Sequence, residues 1–73
     1  MKRTFILEDL DCAHCAKKIE EAVAKIDGVS ECSVTFLTQK LVYTVEDDKN
    51  EAVEKEMRKL VKSTEPDVTV VAK

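Results

Sequence analysis

The sequence predicts an α+β fold of the ferredoxin-like type, in which a four-stranded antiparallel sheet packs with one face against two helices. The first observation is the element order, since apolar periodicities alternate as β-α-β-β-α-β along the chain. The second is length, because 73 residues suffice for one small domain, residues 1–73. Two βαβ-like halves with right-handed crossovers then place both helices on the same side of one sheet.

The first half of the chain predicts a strand over residues 2–8 and a helix over residues 14–26. Phe5 and Leu7 share one face of the strand, which favours their burial. Gly28, the only glycine, suits a left-handed cap after the helix. Apolar residues at helical spacing form the buried stripe: Ala16, Ile19, Ala22, Val23 and Ile26.

The second half predicts strands at 29–36, 41–46 and 67–72, with a hairpin loop at 37–40 and a helix over 50–62. Its helix is expected to bury Val53, Met57, Leu60 and Val61.

Signals at the two ends of this second helix set its limits. Asp48 and Glu51 resemble a capping box at its start. Pro66 ends it, because proline cannot continue a helix and biases the residue before it away from helical backbone.

Composition excludes several classes of function. The net charge of −3 and the scarcity of aromatic side chains argue against a nucleic-acid-binding protein. No stretch approaches the ~20 apolar residues of a membrane span, and the N-terminus shows no targeting signal. An odd number of cysteines, two of them close together, fits a reducing cytoplasm better than a secreted disulfide framework.

Cys12 and Cys15 form a Cys-x-x-Cys pair at the predicted strand-to-helix junction. This spacing lets both sulfurs approach one ion at about 2.3 Å, and the helix N-terminus favours thiolates. A dithiol oxidoreductase would use the same features, so the pair by itself leaves metal and redox chemistry open. Structural zinc sites usually have four protein ligands, whereas this chain has a single half-site, which favours an ion that is picked up and handed on.

The run from Leu7 to Ala16, together with Ile19, Val23, Gly28 and Val29, resembles a heavy-metal-associated domain over essentially the whole chain. This resemblance implies a non-enzymatic domain with a ferredoxin-like fold and a surface metal site on its first loop. It also implies transfer by ligand exchange, either within a P-type metal-transporting ATPase or from a free metallochaperone. The partners would be other ATPase domains or a donor or acceptor protein, in the cytoplasm or tethered to a membrane as part of the ATPase.

Asp11 distinguishes this chain from the copper form of that family, which typically has Gly-Met-Thr where Asp9, Leu10 and Asp11 stand here. An aspartate before the first cysteine resembles the zinc/cadmium/lead-exporting branch, in which it joins the thiolates as a ligand. Two thiolates and a carboxylate leave a charge of −1 on Zn²⁺, Cd²⁺ or Pb²⁺ but −2 on Cu⁺, and oxygen ligands suit the divalent ions better. Cu⁺ and Hg²⁺ are the alternative ions, and an N-cap role is the alternative for Asp11.

The remaining candidates near the predicted site are His14 and Glu65. His14 could ligate through its imidazole, but its place between the cysteines points it away from where the sulfurs converge. The loop that contains Glu65 should lie near the cysteine pair, where this acid could ligate directly or through water, or simply be an exposed loop acid. Leu10 is expected to plug the loop from below, and Cys32 alternates with core residues, which predicts a buried thiol away from the site.

Overall fold

The computed structural model describes residues 1–73 and confirms the predicted element order and fold class. The elements are β1 (Lys2–Glu8), α1 (Ala13–Ala24), β2 (Val29–Thr35), β3 (Lys40–Val45), a 3₁₀ turn (Asp47–Lys49), α2 (Asn50–Thr64) and β4 (Thr69–Ala72). The strands form one antiparallel sheet in the order β2-β3-β1-β4. Neither helix has the length and apolar content needed to cross a bilayer.

One hydrophobic core lies between the sheet and the two helices, and every fully buried residue is hydrophobic. The strands contribute alternate residues because side chains alternate between the faces of a sheet. The sheet side of the core consists of Phe5, Leu7, Leu41, Tyr43 and Val45, and the helix side of Ala16, Ile19, Val23, Val53, Met57 and Val61. Leu60, predicted to be buried, is only partly so.

The end of α1 differs from the prediction. The helix stops at Ala24 rather than at residue 26, because the Lys25 and Ile26 amides bond to carbonyls three residues back, at 3.2 and 3.1 Å. These tighter bonds are typical of a terminal turn. Gly28 does have a left-handed backbone, with φ of 102°, but it lies in the turn before β2 and does not cap the helix.

The start of α2 also corrects the prediction, since Asp48 does not cap it. A 3₁₀ turn occupies Asp47–Lys49, and Lys49, with no capping side-chain hydrogen bond, is the residue that precedes the helix. The extended backbone that a capping box requires is therefore absent at Asp48. At its other end α2 continues to Thr64, and Glu65 is its C-cap residue.

Both edges of the sheet are protected by side chains from the helices. Glu20 of α1 accepts a hydrogen bond from the Val34 N–H of β2 at 2.9 Å. Arg58 of α2 donates to the Val70 carbonyl of β4 at 3.2 Å. These contacts occupy backbone groups that an exposed edge would otherwise offer to another chain.

Candidate metal centre

The loop Asp9–Cys12, here called the cysteine loop, joins β1 to α1 in a tight, partly strained path. Asp9 has a φ of 67°, a left-handed backbone that side-chain-bearing residues adopt at a cost. The Leu10 N–H donates to the Leu7 carbonyl at 3.3 Å. Leu10 is 1% exposed, which confirms the predicted apolar plug beneath the loop. The backbone before Cys12 is thereby anchored in the core.

Cys12 is the N-cap residue of α1, so the alternative of an N-cap role for Asp11 is wrong. Its backbone is extended, with φ −130° and ψ 114°, and its Sγ accepts a hydrogen bond from the Cys15 N–H at 3.3 Å. The sulfur thus replaces the oxygen of the usual capping side chains. This geometry directs the Cys12 sulfur at the positive end of the helix, where negative charge is stabilised.

Cys15 lies in the first turn of α1 and contacts a residue distant in sequence. Its Sγ donates a hydrogen bond to Glu65 Oε2 at 2.9 Å. Glu65 is held at the end of α2, where its N–H donates to the Val61 carbonyl at 2.8 Å. Glu65 is half-buried and in contact with a thiol, so the alternative of a plain exposed loop acid is wrong.

The two thiols differ in acidity. Interaction with Cys15, first through its side chain and then through the hydrogen bond that its amide donates, lowers the pKa of Cys12. The carboxylate of Glu65, with a further contribution from Cys12 and from burial, raises the pKa of Cys15 to about 12. The pair therefore combines one sulfur that loses its proton more easily with one that keeps its proton, which is hydrogen-bonded to the neighbouring Glu65 carboxylate.

Asp11 and His14 both have exposed side chains; the Cys12 sulfur accepts instead from the Cys15 N–H, and the Cys15 thiol donates to the Glu65 carboxylate. No three His, Cys, Asp or Glu side chains converge closely enough to form a ready-made metal cage. A third ligand would therefore have to join the two sulfurs by a side-chain rotation. Asp11, next to Cys12 and unrestrained, and Glu65, already at Cys15, are the two carboxylates placed to do so.

Cys32 lies outside this centre. It is half-buried in β2, directly opposite Tyr43, and packs against the core as the alternation predicted. Burial, and to a lesser degree Glu20, raises the pKa of this thiol to about 11. Its sulfur thus behaves as a small apolar group.

Gln39 is the residue at this end of the fold that the sequence did not indicate. Its side-chain Nε2 donates to the Leu10 carbonyl at 2.9 Å, and its own carbonyl accepts from the Leu7 N–H at 2.7 Å. The only hint in the sequence was a hairpin loop without glycine or asparagine, which obliges another residue to take the left-handed position. Gln39 takes it, with φ of 56°.

The donor set at this end is two sulfurs with carboxylate oxygens beside them. Thiolates bind soft and borderline ions such as Cu⁺, Zn²⁺ and Cd²⁺, and oxygen ligands shift the preference toward the divalent ones. Cys12, Cys15 and Glu65 all remain partly exposed. The arrangement is chemically suited to taking up a metal ion at the surface and giving it up again.

Comparison with known proteins agrees with this geometry. A family model described as "Heavy-metal-associated domain" matches residues 4–66. The cadmium, zinc and cobalt-transporting ATPase of Bacillus subtilis is 37% identical over 70 residues, covering 96% of this chain and 10% of the ATPase. The periplasmic component of the mercuric transport protein of Pseudomonas fluorescens is 36% identical over 62 residues, covering 85% of this chain and 63% of that protein.

A solved structure extends the comparison to three dimensions. The N-terminal domain of ZntA in its Zn(II) form superimposes with a TM-score of 0.71 at 29% identity, covering 99% of this chain and 90% of that one. The chain is thus a metal-binding and metal-transfer domain with a ferredoxin-like fold, non-catalytic in itself. It belongs to the heavy-metal-associated domain family, and it spans about a tenth of the length of the Bacillus ATPase.

Proposed function

We propose that this domain captures Zn²⁺, Cd²⁺ or Pb²⁺ and passes the ion by ligand exchange to another domain of a metal-exporting ATPase or to a separate metal-binding protein, in the cytoplasm. The ion is held by Cys12, Cys15 and Asp11, and Glu65 supplies a further oxygen. The observation that carries the proposal is the Glu65 carboxylate 2.9 Å from Cys15 Sγ. His14, exposed in the first turn of α1, is left out of the ligand set.

Charge favours the divalent ions over Cu⁺. Two thiolates with one carboxylate leave −1 on a divalent ion and −2 on Cu⁺, and a second carboxylate makes these charges −2 and −3. Concentrated like charge in a small site is costly, so each carboxylate selects against the monovalent ion. Two of the three proteins compared above support this choice, since one is named for cadmium, zinc and cobalt and one was solved in a Zn(II) form, whereas the third is named for mercury.

Transfer by ligand exchange is supported by how the donor atoms are placed. The sulfurs lie on a loop and a first helical turn, both at the surface, so that a thiolate of a partner can approach the ion. Oxygen ligands bind these ions less tightly than thiolates do. The carboxylates can therefore leave first and open a position for the incoming ligand.

The decisive experiment compares Asp11→Asn and Glu65→Gln with the unmodified chain in chelator-competition titrations of Cd²⁺, Zn²⁺ and Cu⁺. We expect each substitution to lower the Cd²⁺ affinity by about 10- to 100-fold or more, the range that loss of even an outer-shell partner costs. The Cu⁺ affinity should be nearly unchanged. X-ray absorption of the Cd²⁺-loaded chain should show oxygen as well as sulfur ligands.

Asp67→Asn is the matched control, because Asp67 is an exposed acid in the same loop as Glu65 and its loss changes the net charge equally. It should leave all three affinities unchanged. Equal losses for Cd²⁺ and Cu⁺ in the Asp11 and Glu65 variants would show that the carboxylates only support the loop. Weak or sub-stoichiometric Zn²⁺ binding beside tight Cu⁺ binding, or all-sulfur coordination with a preference for Hg²⁺, would contradict the choice of ion.

A dithiol oxidoreductase is the candidate from another class, and the lowered pKa of Cys12, caused by its interaction with Cys15, is the observation in its favour. A low-pKa thiol serves metal capture equally well, so acidity does not separate the two functions. Turnover in a disulfide-reduction assay does. Metal transfer predicts none, and sustained turnover by the metal-free chain would establish the oxidoreductase.

A further inference from the structure

We infer that Gln39 is a positioning residue for the metal centre: from the β2–β3 turn it ties down the cysteine loop and so slows release of the bound ion. The inference rests on the proposed function for the presence of the ion. Its structural basis does not depend on an ion, because the hydrogen bond between Gln39 and Leu10 joins two loops of the metal-free chain.

Gln39 bonds to the chain at two points on either side of Asp9, one near the end of β1 and one in the cysteine loop. Its carbonyl accepts from the Leu7 N–H at 2.7 Å, and its Nε2 donates to the Leu10 carbonyl at 2.9 Å. The strained residue Asp9 lies between these two anchors. The chain is therefore fixed on both sides of its left-handed residue, Asp9.

The Gln39 side chain supplies a hydrogen-bond donor to the Leu10 carbonyl, which lies outside the strands and helices. Leu10 lies after the end of β1 and before the start of α1, so neither the sheet nor the helix supplies a donor to its carbonyl. Gln39 supplies it while keeping a left-handed backbone that glycine or asparagine would adopt more easily. Glutamine is suited to this position by the length of its side chain and not by its turn preference. Asparagine is one methylene shorter and does not reach the Leu10 carbonyl.

The consequence for the metal follows from the distance along the chain. Cys12 comes two residues after Leu10, and its extended backbone aims Sγ at the Cys15 N–H. When the Leu10 carbonyl loses the hydrogen bond from Gln39, the cysteine loop becomes more mobile. The Cys12 sulfur then moves away more often from the position in which it can bind an ion together with Cys15. Loss of one hydrogen bond of ordinary strength corresponds to about a fivefold change, so we expect the ion to leave about fivefold faster.

Gln39→Gly and Gln39→Asn test the inference because both residues tolerate the left-handed turn and neither can reach Leu10. The rate of Cd²⁺ transfer to an excess of chelator is followed through the thiolate–Cd²⁺ absorption, with Thr38→Ala in the same turn as the control. Thermal unfolding and amide hydrogen exchange of the metal-free chain are measured in parallel. We expect an unchanged or higher melting temperature, faster exchange at the Leu10 amide, and about fivefold faster release in both variants but not in the control.

That combination separates positioning from a merely structural role, in which release would accelerate only as the melting temperature falls. Release at the unmodified rate in both variants would overturn the inference, and so would equal acceleration by Thr38→Ala. Absence of Cd²⁺ binding by the unmodified chain would contradict the proposed function instead. Amide exchange in the metal-free chain would still decide whether Gln39 holds the loop.

Discussion

The two strand-to-helix junctions hold equivalent places in the two halves of the fold, yet they are built from different interactions. In the first, the cysteine loop leads into α1 and the Cys12 sulfur caps the helix. In the second, Glu46–Lys49 leads into α2 without any capping side chain. There Lys49 Nζ lies 3.1 Å from Asp27 Oδ2 and 3.7 Å from Glu46 Oε2.

The difference shows where function resides in this duplicated architecture. At the second junction Lys49 pairs with Asp27 and Glu46, and none of the three cysteines lies there. At the first, both sulfurs remain partly exposed, and a carboxylate lies beside one of them. Because β1 and β3 run antiparallel, the two junctions lie at opposite ends of the sheet. Substitutions at one end should therefore leave the other unaffected, and this expectation can be tested.

Gly28→Ala should have the largest effect on folding. The φ of 102° is unfavourable for alanine, and the added Cβ would lie 2.8 Å from Lys49 Cδ and 3.1 Å from Lys49 Cβ. Strained backbone of this kind costs of order 1–3 kcal/mol, so we expect a loss of about 2 kcal/mol in the free energy of unfolding, measured by urea denaturation. The Cd²⁺ affinity of the folded chain should stay the same. A large change in that affinity would mean that the two ends are coupled.

The thiols of the first junction should differ clearly in reactivity. Interaction with Cys15 lowers the pKa of Cys12, whereas Glu65 raises the pKa of Cys15 to about 12. At a pH below both pKa values, each pKa unit by which the two thiols differ changes the ratio of their thiolate fractions about tenfold. The more acidic thiolate is also the weaker nucleophile, which reduces the difference in reaction rate to roughly the square root of that ratio. In the metal-free chain at pH 8, mass spectrometry should find iodoacetamide on Cys12 well before Cys15.

Cys32 provides the internal control for that experiment, since burial raises its pKa to about 11 and it lies in β2, outside the cysteine loop. It should be modified late, and earlier only under unfolding conditions. Glu65→Gln should bring the modification rates of Cys12 and Cys15 closer together, because it removes the carboxylate that raises the pKa of Cys15. Simultaneous modification of Cys12 and Cys15 in the unmodified chain would contradict the asymmetry.

Asp9→Gly should have the smallest effect, and in the opposite direction. Asp9 has a φ of 67°, where glycine pays no steric cost, so we expect the free energy of unfolding to rise by up to about 1 kcal/mol. The same position is the glycine of the Gly-Met-Thr run that the copper form typically has. Thermal unfolding of the metal-free chain measures the change. A loss of stability would show that the Asp9 carboxylate contributes more than its backbone costs.

Much of the fold could be predicted because its signals are local. Alternation in the strands and the Ile19–Val23 spacing in α1 report which face is buried, and the element order then restricts the topology. The junctions were harder to predict. The expected cap at Asp48 is wrong because a 3₁₀ turn precedes α2, and the helix limits at Ala24 and Thr64 depend on terminal hydrogen bonds that many sequences can form.

For the candidate site, the sequence by itself determined the Cys12–Cys15 pair, because residues three apart at a helix start turn toward the same side. The sequence also determined that an acid, Asp11, directly precedes the pair. The topology expected from the sequence placed the Glu65 loop near that pair, but only the tertiary structure decided which atoms of the distant loops are in contact there. Glu65 reaches Cys15 across 50 residues of chain and Gln39 reaches Leu10 across 29, and each contact exists because the antiparallel sheet brings three loops to one end. Contacts between loops leave no periodic pattern in the sequence, since their geometry is set by the packing of the core beneath them.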